Sequence, residues 1–288
     1  MSFKWNYRPT SKIEKNSLHI EVIADYGGGY TTDHAFAEVR NHFYRFDKDK
    51  KIRNITEHPV YAFSTIETGF WIAQEGLHSE HKDLVIFSNT APRGDITWHG
   101  EQRQYFVCGI LDNGIPVFAV NAGYNLSFVK SRLKGLWIVD CSNEGTQFRS
   151  RDYYPEAAMA ILSGDMSKIG DEISINKIPD VPLYKLASVD GYGNLKTTIK
   201  KSHLKENVLK SRILRVTING YSHLVINTLN GTPITARSYD LCLVQGSSGG
   251  KQANFLEIVR LMARACDDFK VDGPWDDMKP IILEVVKA

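Results

Sequence analysis

The residues of this sequence with the clearest capacity for chemistry are polar side chains that follow apolar runs. The stretch 20–36 starts with a β-branched apolar run that ends at Asp25 and continues with Gly27–Gly29 before a helical pattern. A carboxylate at the carboxyl end of a strand, beside glycines and a helix start, lies where open α/β sheets bind ligands. Its two oxygens can accept hydrogen bonds from two adjacent sugar hydroxyls. The alternative is a glycine turn in which Asp25 caps the helix, and no phosphate-loop or dinucleotide fingerprint matches here.

Four further loops combine polar side chains with turn residues. They are 89–94, 148–152, 190–194 and 246–250. The last of them, Gly-Ser-Ser-Gly-Gly, is a candidate backbone nest for an anion or a carboxylate. Each loop also fits a structural role, because glycine-serine loops form ordinary turns and loop arginines form surface ion pairs. None of the histidines has metal-ligand spacing.

Hydrophobic periodicity places the first three of these five loops between alternating strands and helices. The predicted strands are 18–24, 52–55, 84–88, 105–109, 115–120 and 136–140, and the predicted helices are 33–46, 64–77 and 151–163. This alternation predicts an N-terminal α/β domain with a largely parallel sheet, residues 18–170.

The alternation of strand and helix patterns ends after residue 170. Residues 171–183 contain two prolines and no helical period, and they are predicted to be a linker. Residues 184–288 contain the hairpin signal Asn219-Gly220 and several short strand patterns. Strands are predicted at 185–189, 213–218, 221–227, 241–245 and 281–286, with one helix at 252–266. We therefore expect a smaller C-terminal domain of antiparallel β structure, similar to a barrel.

Composition and charge exclude several classes of protein. Hydrophobic residues make up 42% and charged residues 24% of the chain, and the formal net charge is +2, which leaves no basic footprint for nucleic acid. The four cysteines form no close pair, which favours buried thiols in a reducing compartment. No signal-peptide core and no apolar run of membrane-spanning length is present in the sequence. We therefore expect a cytoplasmic protein with no membrane or nucleic-acid partner.

Five segments in a fixed order carry a resemblance to a known family. They are I-A-D-Y-G at 23–27, I-T-E-H-P-V-Y-A-F-S-T-I-E-T-G-F-W-I-A at 55–73, F-R-S-R-D-Y-Y-P-E-A-A at 148–158, V-D-G-Y-G-N-L-K-T-T-I at 189–199, and S-Y-D-L-C-L-V-Q-G-S-S-G at 238–249 followed by F-L-E-I. Together they resemble the S-adenosylmethionine hydrolase (hydroxide adenosyltransferase) and 5′-halogenase family, which includes fluorinase and chlorinase. The resemblance covers about residues 18–270, and its most specific motif is Asp190–Asn194.

The resemblance implies an architecture and a set of binding residues. Family members have an N-terminal α/β domain, a linker and a C-terminal β domain, and they form trimers with the site between the N-domain of one subunit and the C-domain of the next. By resemblance, Asp25 binds the ribose hydroxyls, and Asp190 and Asn194 hold the amino-acid end of the methionine moiety. Ser247 helps to bind its carboxylate, with Arg260 nearby. S-adenosylmethionine is the substrate, and no metal or other cofactor is implied.

The sequence departs from the family where the nucleophile is activated. Asn89 stands where hydrolases have an aspartate, and Arg149 stands where they have a histidine. Ser150 stands in place of their next glycine, as in fluorinase, although fluorinase has tyrosine in place of Asn89. Arg103 is the best counterpart of the hydrolase arginine. Neither an amide nor a guanidinium is a good general base.

The reaction implied by the resemblance is an in-line displacement of methionine at the ribose 5′ carbon. With water or hydroxide as the nucleophile, the products are adenosine and L-methionine. One alternative is a halide-using relative, and another is a protein that binds S-adenosylmethionine or adenosine without catalysis. The altered residues leave these alternatives open in the sequence.

Overall fold

The described residues form two units, and each is built on a sheet of seven described strands. The first unit ends at Asp180, and the second begins at Val181. The structure, a computed structural model, describes residues 14–27, 33–78, 81, 83–91, 104–142, 148–230, 237–249, 255–273 and 275–286. Within these residues, no helix combines the length and apolarity needed to cross a membrane. The predicted α/β class is confirmed.

The sheet of the first unit is mixed, with a parallel half and an antiparallel half. Its strands are β1 (Leu18–Ala24), β2 (Ile52–Pro59), β3 (Leu84–Asn89), β4 (Phe106–Leu111), β5 (Pro116–Val120), β6 (Leu133–Val139) and β7 (Ile169–Glu172). In the order β2-β1-β3-β5-β4-β6-β7, the first four strands are parallel and the last three pairings are antiparallel. The parallel character is therefore confined to one half, because the β4–β5 hairpin brings in an antiparallel strand.

Helices cover both faces of this sheet. They are α1 (His34–Phe46), α2 (Thr65–His78), α3 (Arg149–Asp152) and α4 (Tyr154–Leu162). Side chains of β1 alternate between the faces, as the two-residue period of a strand requires. Ile20 and Val22 pack with α1 and α4, whereas Ile23 packs with Ile72 of α2. The predicted helix 151–163 is split into α3 and α4 at Tyr153, just before Pro155.

The first part of the predicted linker 171–183 belongs to the first unit. Residues 171 and 172 lie in β7, which pairs with β6. Ile173, Ile175 and Ile178 pack against the core on the α2 face, and Ile178 is buried. These isoleucines bury apolar surface, which explains why the segment follows the sheet rather than leaving it.

The second unit has a mostly antiparallel sheet that curls, so that the Ile281 N–H, beside one end strand, donates to the Tyr184 carbonyl, beside the other, at 2.6 Å. Its strands are β8 (Leu186–Val189), β9 (Leu195–Lys200), β10 (Ile213–Ile218), β11 (Tyr221–Asn227), β12 (Leu241–Gln245), β13 (Phe255–Arg260) and β14 (Ile282–Val285). The order is β14-β10-β11-β12-β13-β9-β8, and only β11 and β12 are parallel neighbours among the described pairs. Two short helices, α5 (Glu206–Lys210) and α6 (Ala265–Asp268), complete the described elements with a 3₁₀ turn at Lys201–His203.

The prediction of a helix at 252–266 is wrong. Residues 255–260 form β13, a central strand that pairs with β12 and β9, and only the four residues of α6 are helical. A continuous apolar run can be a buried strand or a buried helix, and periodicity alone does not separate them. Here Phe255, Leu256 and Ile258 are buried, as expected for a strand with neighbours on both sides, although the charged Glu257 stands among them.

A cluster of titratable side chains lies between β1, β2 and α2. The Glu21 carboxylate lies 3.5 Å from His19 Nε2 and 3.6 Å from His58 Nδ1, and the His58 ring packs on Trp71. Burial, and then the negative charge of Glu21, raise the pKa of Glu75 above its ordinary value, and the two histidines oppose this rise. Within the described residues, no group of three or more His, Cys, Asp or Glu side chains is arranged to hold a metal ion.

The raised pKa of Glu75 predicts a pH-dependent loss of stability. A glutamate with a higher pKa in the folded chain binds more protons when folded, so stability falls as the pH rises from its ordinary pKa through its folded pKa. We expect Glu75→Gln to melt close to the wild type at about pH 4 and at a higher temperature at about pH 7. Thermal unfolding across this range, with the exposed Glu172→Gln as control, measures the trend. A Glu75→Gln curve that stays parallel to the wild-type curve would contradict the expectation.

Candidate functional site

The carboxyl edge of the parallel half-sheet brings Asp25 and Asn89 together. Ala24 of β1 is in register with Asn89 of β3, and the Asp25 N–H donates to the Asn89 carbonyl oxygen at 3.4 Å. Asp25 Oδ2 also accepts the Phe63 N–H at 3.0 Å, from the loop that follows β2. Because parallel strands end at the same edge, residues distant in sequence meet around one carboxylate.

The loop that contains Phe63 is held by a buried carboxylate. Glu67 is 2% exposed, and its Oε2 accepts the Tyr61 N–H at 2.8 Å, while its own N–H donates to Ser64 Oγ at 3.4 Å. Phe63 has a positive φ of 64° and an exposed side chain, an uncommon conformation for an aromatic residue. The loop therefore presents the Phe63 N–H to Asp25 in a fixed orientation.

The residue after Asn89 is fixed from two sides. Thr90 is fully buried, and its carbonyl accepts Asn125 Nδ2 at 2.7 Å. The same Asn125 amide donates to the Val120 carbonyl at 2.9 Å, at the end of β5. The hydroxyl groups of Thr90 and Thr68 lie 2.8 Å apart, which ties the loop to α2. The position of Asn89 is thus set by its neighbours in the fold.

Ser150 lies beside the tyrosine that follows Asp25. The Tyr26 ring meets Phe36 and Phe148 edge to face, with centroids 5.0 and 5.4 Å apart. Burial raises the pKa of Tyr26 strongly, and the nearby Ser150 hydroxyl opposes this effect. The two hydroxyl groups do not have full hydrogen-bond geometry. The fold therefore places the buried Ser150 beside the segment that contains Asp25.

The two arginines of α3 have different surroundings. Arg151 forms ion pairs with Glu38 at 2.9 Å and Asp152 at 2.6 Å, which assigns it a structural role. Arg149 is exposed at the start of α3, and its charge opposes the rise in the pKa of Cys141 and Tyr154 that burial causes. Arg103 lies outside the described residues.

In the second unit, Asp190 and Asn194 bind each other. Asp190 Oδ1 accepts the backbone N–H groups of Tyr192 and Asn194, each at 3.0 Å, and Oδ2 accepts Asn194 Nδ2 at 3.1 Å. This carboxylate therefore shapes the loop between β8 and β9. The pair that the sequence predicts is brought together, and its geometry is set before any ligand binds.

Gly193 allows this loop to pack closely on the chain after β13. It has a positive φ of 78°, and its carbonyl accepts the Cys266 N–H at 3.0 Å. A Cβ at this position would lie 2.7 Å from Arg264 Cβ and 3.0 Å from Cys266 Sγ. Glycine is required here for both conformation and space.

An open depression of about 500 Å³ lies beside this loop within the second unit. Its lining combines the Asn194 amide, two arginines and two very exposed apolar side chains. The lining residues are Gly191, Tyr192, Asn194, Val259, Arg260, Leu261, Met262, Ala263 and Arg264. Small-molecule sites usually enclose most of their ligand, whereas this depression is open, so it offers surface contacts rather than a closed pocket.

Two of the five backbone donors in the predicted nest at 246–250 are used within the protein, and residue 250 lies outside the described residues. The Gly246 N–H donates to the Phe255 carbonyl at 2.9 Å, and the Ser247 N–H donates to Glu257 Oε1 at 3.2 Å. These two donors point to β13 and are not directed at an external anion. The reason is that the loop continues the antiparallel pairing of β12 with β13. The side chain of Ser247 remains exposed.

Arg260, the weaker binding candidate, is already engaged. Its guanidinium pairs with the Asp268 carboxylate and donates to the Tyr239 carbonyl at 3.2 Å. It lines the depression, but its charge is partly compensated by Asp268.

Sequence reasoning missed a buried ion pair beneath these loops. Lys196 and Glu257 are each 6% exposed, and Nζ lies 3.1 Å from Oε1. The available signal was a charged residue inside each of two apolar runs, Leu-Lys-Thr-Thr-Ile and Phe-Leu-Glu-Ile-Val. A single charged residue in an apolar run is unusual and indicates a buried partner. The fold alone shows that Lys196 and Glu257 are that pair, because the register of β9 against β13 places them opposite each other.

Comparison with known proteins identifies relatives in fold. No protein-family model and no curated protein matches the chain. A solved structure of an uncharacterized conserved protein from Thermotoga maritima matches with a TM-score of 0.66 and 16% identity, over 92% of this chain and 99% of that one. A conserved hypothetical protein from Thermus thermophilus matches with a TM-score of 0.59 and 13% identity, over the same shares. At these identities the likeness shows the fold alone.

Two glycines with similar backbone angles give a matched test of the packing around the Asp190–Asn194 loop. Gly193 and Gly220 both have positive φ, but a Cβ on Gly220 would meet nothing within 4 Å. We expect Gly220→Ala to cost about 1 kcal/mol through backbone strain, and Gly193→Ala to cost about 1–3 kcal/mol more because of the clash with Arg264 and Cys266. Urea denaturation measures both, and equal losses would show that the loop is not closely packed.

Proposed function

We propose that this protein transfers the adenosyl group of S-adenosylmethionine to water or hydroxide, giving adenosine and L-methionine. The observation that supports this most directly is the Asp25 carboxylate at the carboxyl edge of parallel strands, beside Asn89. The ordered resemblance of five segments to the S-adenosylmethionine hydrolase and 5′-halogenase family supports the same reaction.

In the proposal, Asp25 binds the ribose. Each carboxylate oxygen has two lone pairs, so Oδ2 can hold the Phe63 N–H and still accept a sugar hydroxyl. Hydrogen bonds to a charged group contribute about 1.5–3 kcal/mol each. The Phe63 contact also fixes the orientation of the carboxylate, which reduces the cost of ordering it on binding.

The amino-acid end of the substrate is assigned to the second unit. Two carboxylates, Asp190 and Glu257, surround one ammonium, Lys196, so the cluster has a net negative charge that favours the α-ammonium group of methionine. Asn194 and the exposed hydroxyl of Ser247 are proposed to bind the carboxylate end. Arg260 is the weakest member of this set, because Asp268 already compensates its charge.

The chemical step is a displacement in line with the bond from the ribose 5′ carbon to sulfur. The incoming oxygen forms a bond to carbon while the carbon–sulfur bond breaks. The electron pair of the carbon–sulfur bond goes to sulfur. Methionine leaves as a neutral thioether, so the leaving group needs no proton. The task of the protein is to orient the nucleophile and exclude bulk water.

Four residues are proposed around the nucleophile. They are Asn89, Arg103, Arg149 and Ser150. None of them is a good general base, so the proton of an attacking water passes to solvent, or hydroxide attacks directly.

The assembly and the location belong to the same proposal. The resemblance implies a homotrimer, in which residues of both units are combined in one site by neighbouring subunits. The four free cysteines fit a reducing compartment, which supports the cytoplasm as the location.

Two other functions have a specific observation in their favour. Ser150 matches the fluorinase residue at this position, which favours a halide as the nucleophile. The absence of a base among Asn89, Arg149 and Ser150 favours a protein that binds S-adenosylmethionine or adenosine without turning it over.

Removal of the Asp25 carboxylate tests the binding half of the proposal. We expect Asp25→Ala to bind S-adenosylmethionine at least about tenfold more weakly, because two charge-assisted hydrogen bonds are lost. Isothermal titration calorimetry measures the affinity. Asp112→Ala is the control, because Asp112 follows the antiparallel strand β4 and lies at the opposite edge of the same sheet. Equal affinities of Asp25→Ala and wild type would end the assignment.

Arg149→Ala tests the proposed role in orienting the nucleophile. We expect turnover to fall by about 10²-fold with little change in KM, because a lost positioning group affects the transition state more than substrate binding. Chromatographic analysis of adenosine formation measures this, with the exposed Arg53→Ala as control.

The hydrolase residues can also be restored as a pair. The double variant Asn89→Asp, Arg149→His is expected to hydrolyse S-adenosylmethionine faster than wild type if only the activation of water is altered. A 5′-halo-nucleoside formed in halide would instead favour the halogenase alternative. If wild type and the double variant both bind S-adenosylmethionine but yield neither product, the binding-protein function is the correct one.

A further inference from the structure

Lys196 and Glu257 form a buried ion pair between two neighbouring strands of the second sheet. The two residues are directly opposite on β9 and β13, their side chains are each 8% exposed, and Nζ lies 3.1 Å from Oε1. Burying two charges costs free energy that their attraction only partly recovers, so such pairs contribute little to stability compared with well-packed apolar residues. Its contribution to stability therefore does not explain the pair.

Each partner of the pair also contacts a different loop. Glu257 Oε1 accepts the Ser247 N–H at 3.2 Å and so holds the loop after β12. Lys196 Nζ lies 3.8 Å from Asp190 Oδ2, an ion-pair distance, and Asp190 in turn orders the loop that ends at Asn194. The ion pair thus connects two loops that are more than fifty residues apart in the chain.

The Glu257 carboxylate lies closely against the loop backbone at Gly246. A Cβ on Gly246 would lie 2.6 Å from Glu257 Oε1 and 2.4 Å from the Phe255 carbonyl oxygen. The glycine therefore allows the loop backbone to lie directly against the buried carboxylate. A shift of this carboxylate would move the loop that contains Ser247.

We propose that Lys196 is a positioning residue that holds the Asp190–Asn194 loop and the Gly246–Gly249 loop in one relative arrangement through Glu257. Its consequence for affinity rests on the proposed function, in which these loops bind the two charged groups of an α-amino acid. The coupling of the loops is independent of any ligand.

Amide hydrogen exchange of the ligand-free protein tests the coupling. In Lys196→Met, we expect the amides of Tyr192, Asn194 and Ser247 to exchange at least about tenfold faster than in wild type, because both carboxylates lose their cation. Lys185→Met is the matched control in the same unit, since the Lys185 ammonium bonds the backbone carbonyls of Asp276 and Met278 instead. Faster exchange in only one loop, or in neither, would overturn the proposal.

Two more variants separate positioning from general stability. The double variant Lys196→Met, Glu257→Gln removes both buried charges and leaves no unpaired charge in the interior. We therefore expect it to fold even if Lys196→Met alone does not. We expect the Asp190–Asn194 loop to stay less protected in this double variant, because Asp190 still lacks its cation. Wild-type protection in both loops would show that Lys196 only compensates Glu257, and would overturn the proposal. Lys196→Arg is expected to restore most of the protection.

Titration with S-adenosylmethionine then links the coupling to binding. We expect Lys196→Met to bind at least about tenfold more weakly, because the loss of loop pre-organisation outweighs the stronger attraction of the more negative cluster for the ligand ammonium, and Lys196→Arg to recover part of the affinity. A coupled exchange effect with unchanged affinity would overturn the part of the proposal that concerns the ligand. Wild type that binds no S-adenosylmethionine would refute the proposed function, while the exchange experiment still decides the coupling.

Discussion

The first unit depends on the parallel pairing of β1 with β2 and β3. This pairing makes three strands end at one edge, so that Asp25, Phe63 and Asn89 meet although they are far apart in sequence. Parallel pairing requires a crossover between each pair of strands, and α1 and α2 provide it while covering opposite faces. The site is therefore a consequence of the crossovers, and a change in the helices that altered strand order would remove it.

Local patterns in the sequence predicted those parts of the fold that local chemistry determines. β1, β10, β11 and β12 have the predicted bounds, because alternation and the Asn219-Gly220 turn are short-range signals. The segment 255–260 was predicted as helix, since its status as a central strand depends on β9 and β12 on either side. The secondary structure of this segment is determined by its pairing with other strands, and that pairing is not visible in a single sequence.

The contacts of the candidate site residues are also of two kinds, some local in sequence and others between distant strands. Asp190 and Asn194 were predicted together by the resemblance, and only three turn residues separate them, so their contact is local. The use of the Ser247 N–H by Glu257, the engagement of Arg260 by Asp268 and the Lys196–Glu257 pair all join distant strands. A charged residue inside an apolar run marks positions 196 and 257 as unusual for buried strands. The identity of each partner came only from the register of β9 against β13.

The polar groups of the candidate site are already bonded within the protein, and this affects how a ligand can bind. Asp190 accepts three hydrogen bonds, and Asp25 accepts the Phe63 N–H, so their orientations are set before binding. A pre-organised carboxylate loses little side-chain entropy when a ligand arrives, which favours affinity. It also has fewer unused lone pairs, so a ligand must approach from the remaining directions. For the proposed function, the internal hydrogen bonds of Asp25 and Asp190 therefore also restrict the geometry in which each carboxylate can accept a sugar hydroxyl or an ammonium group.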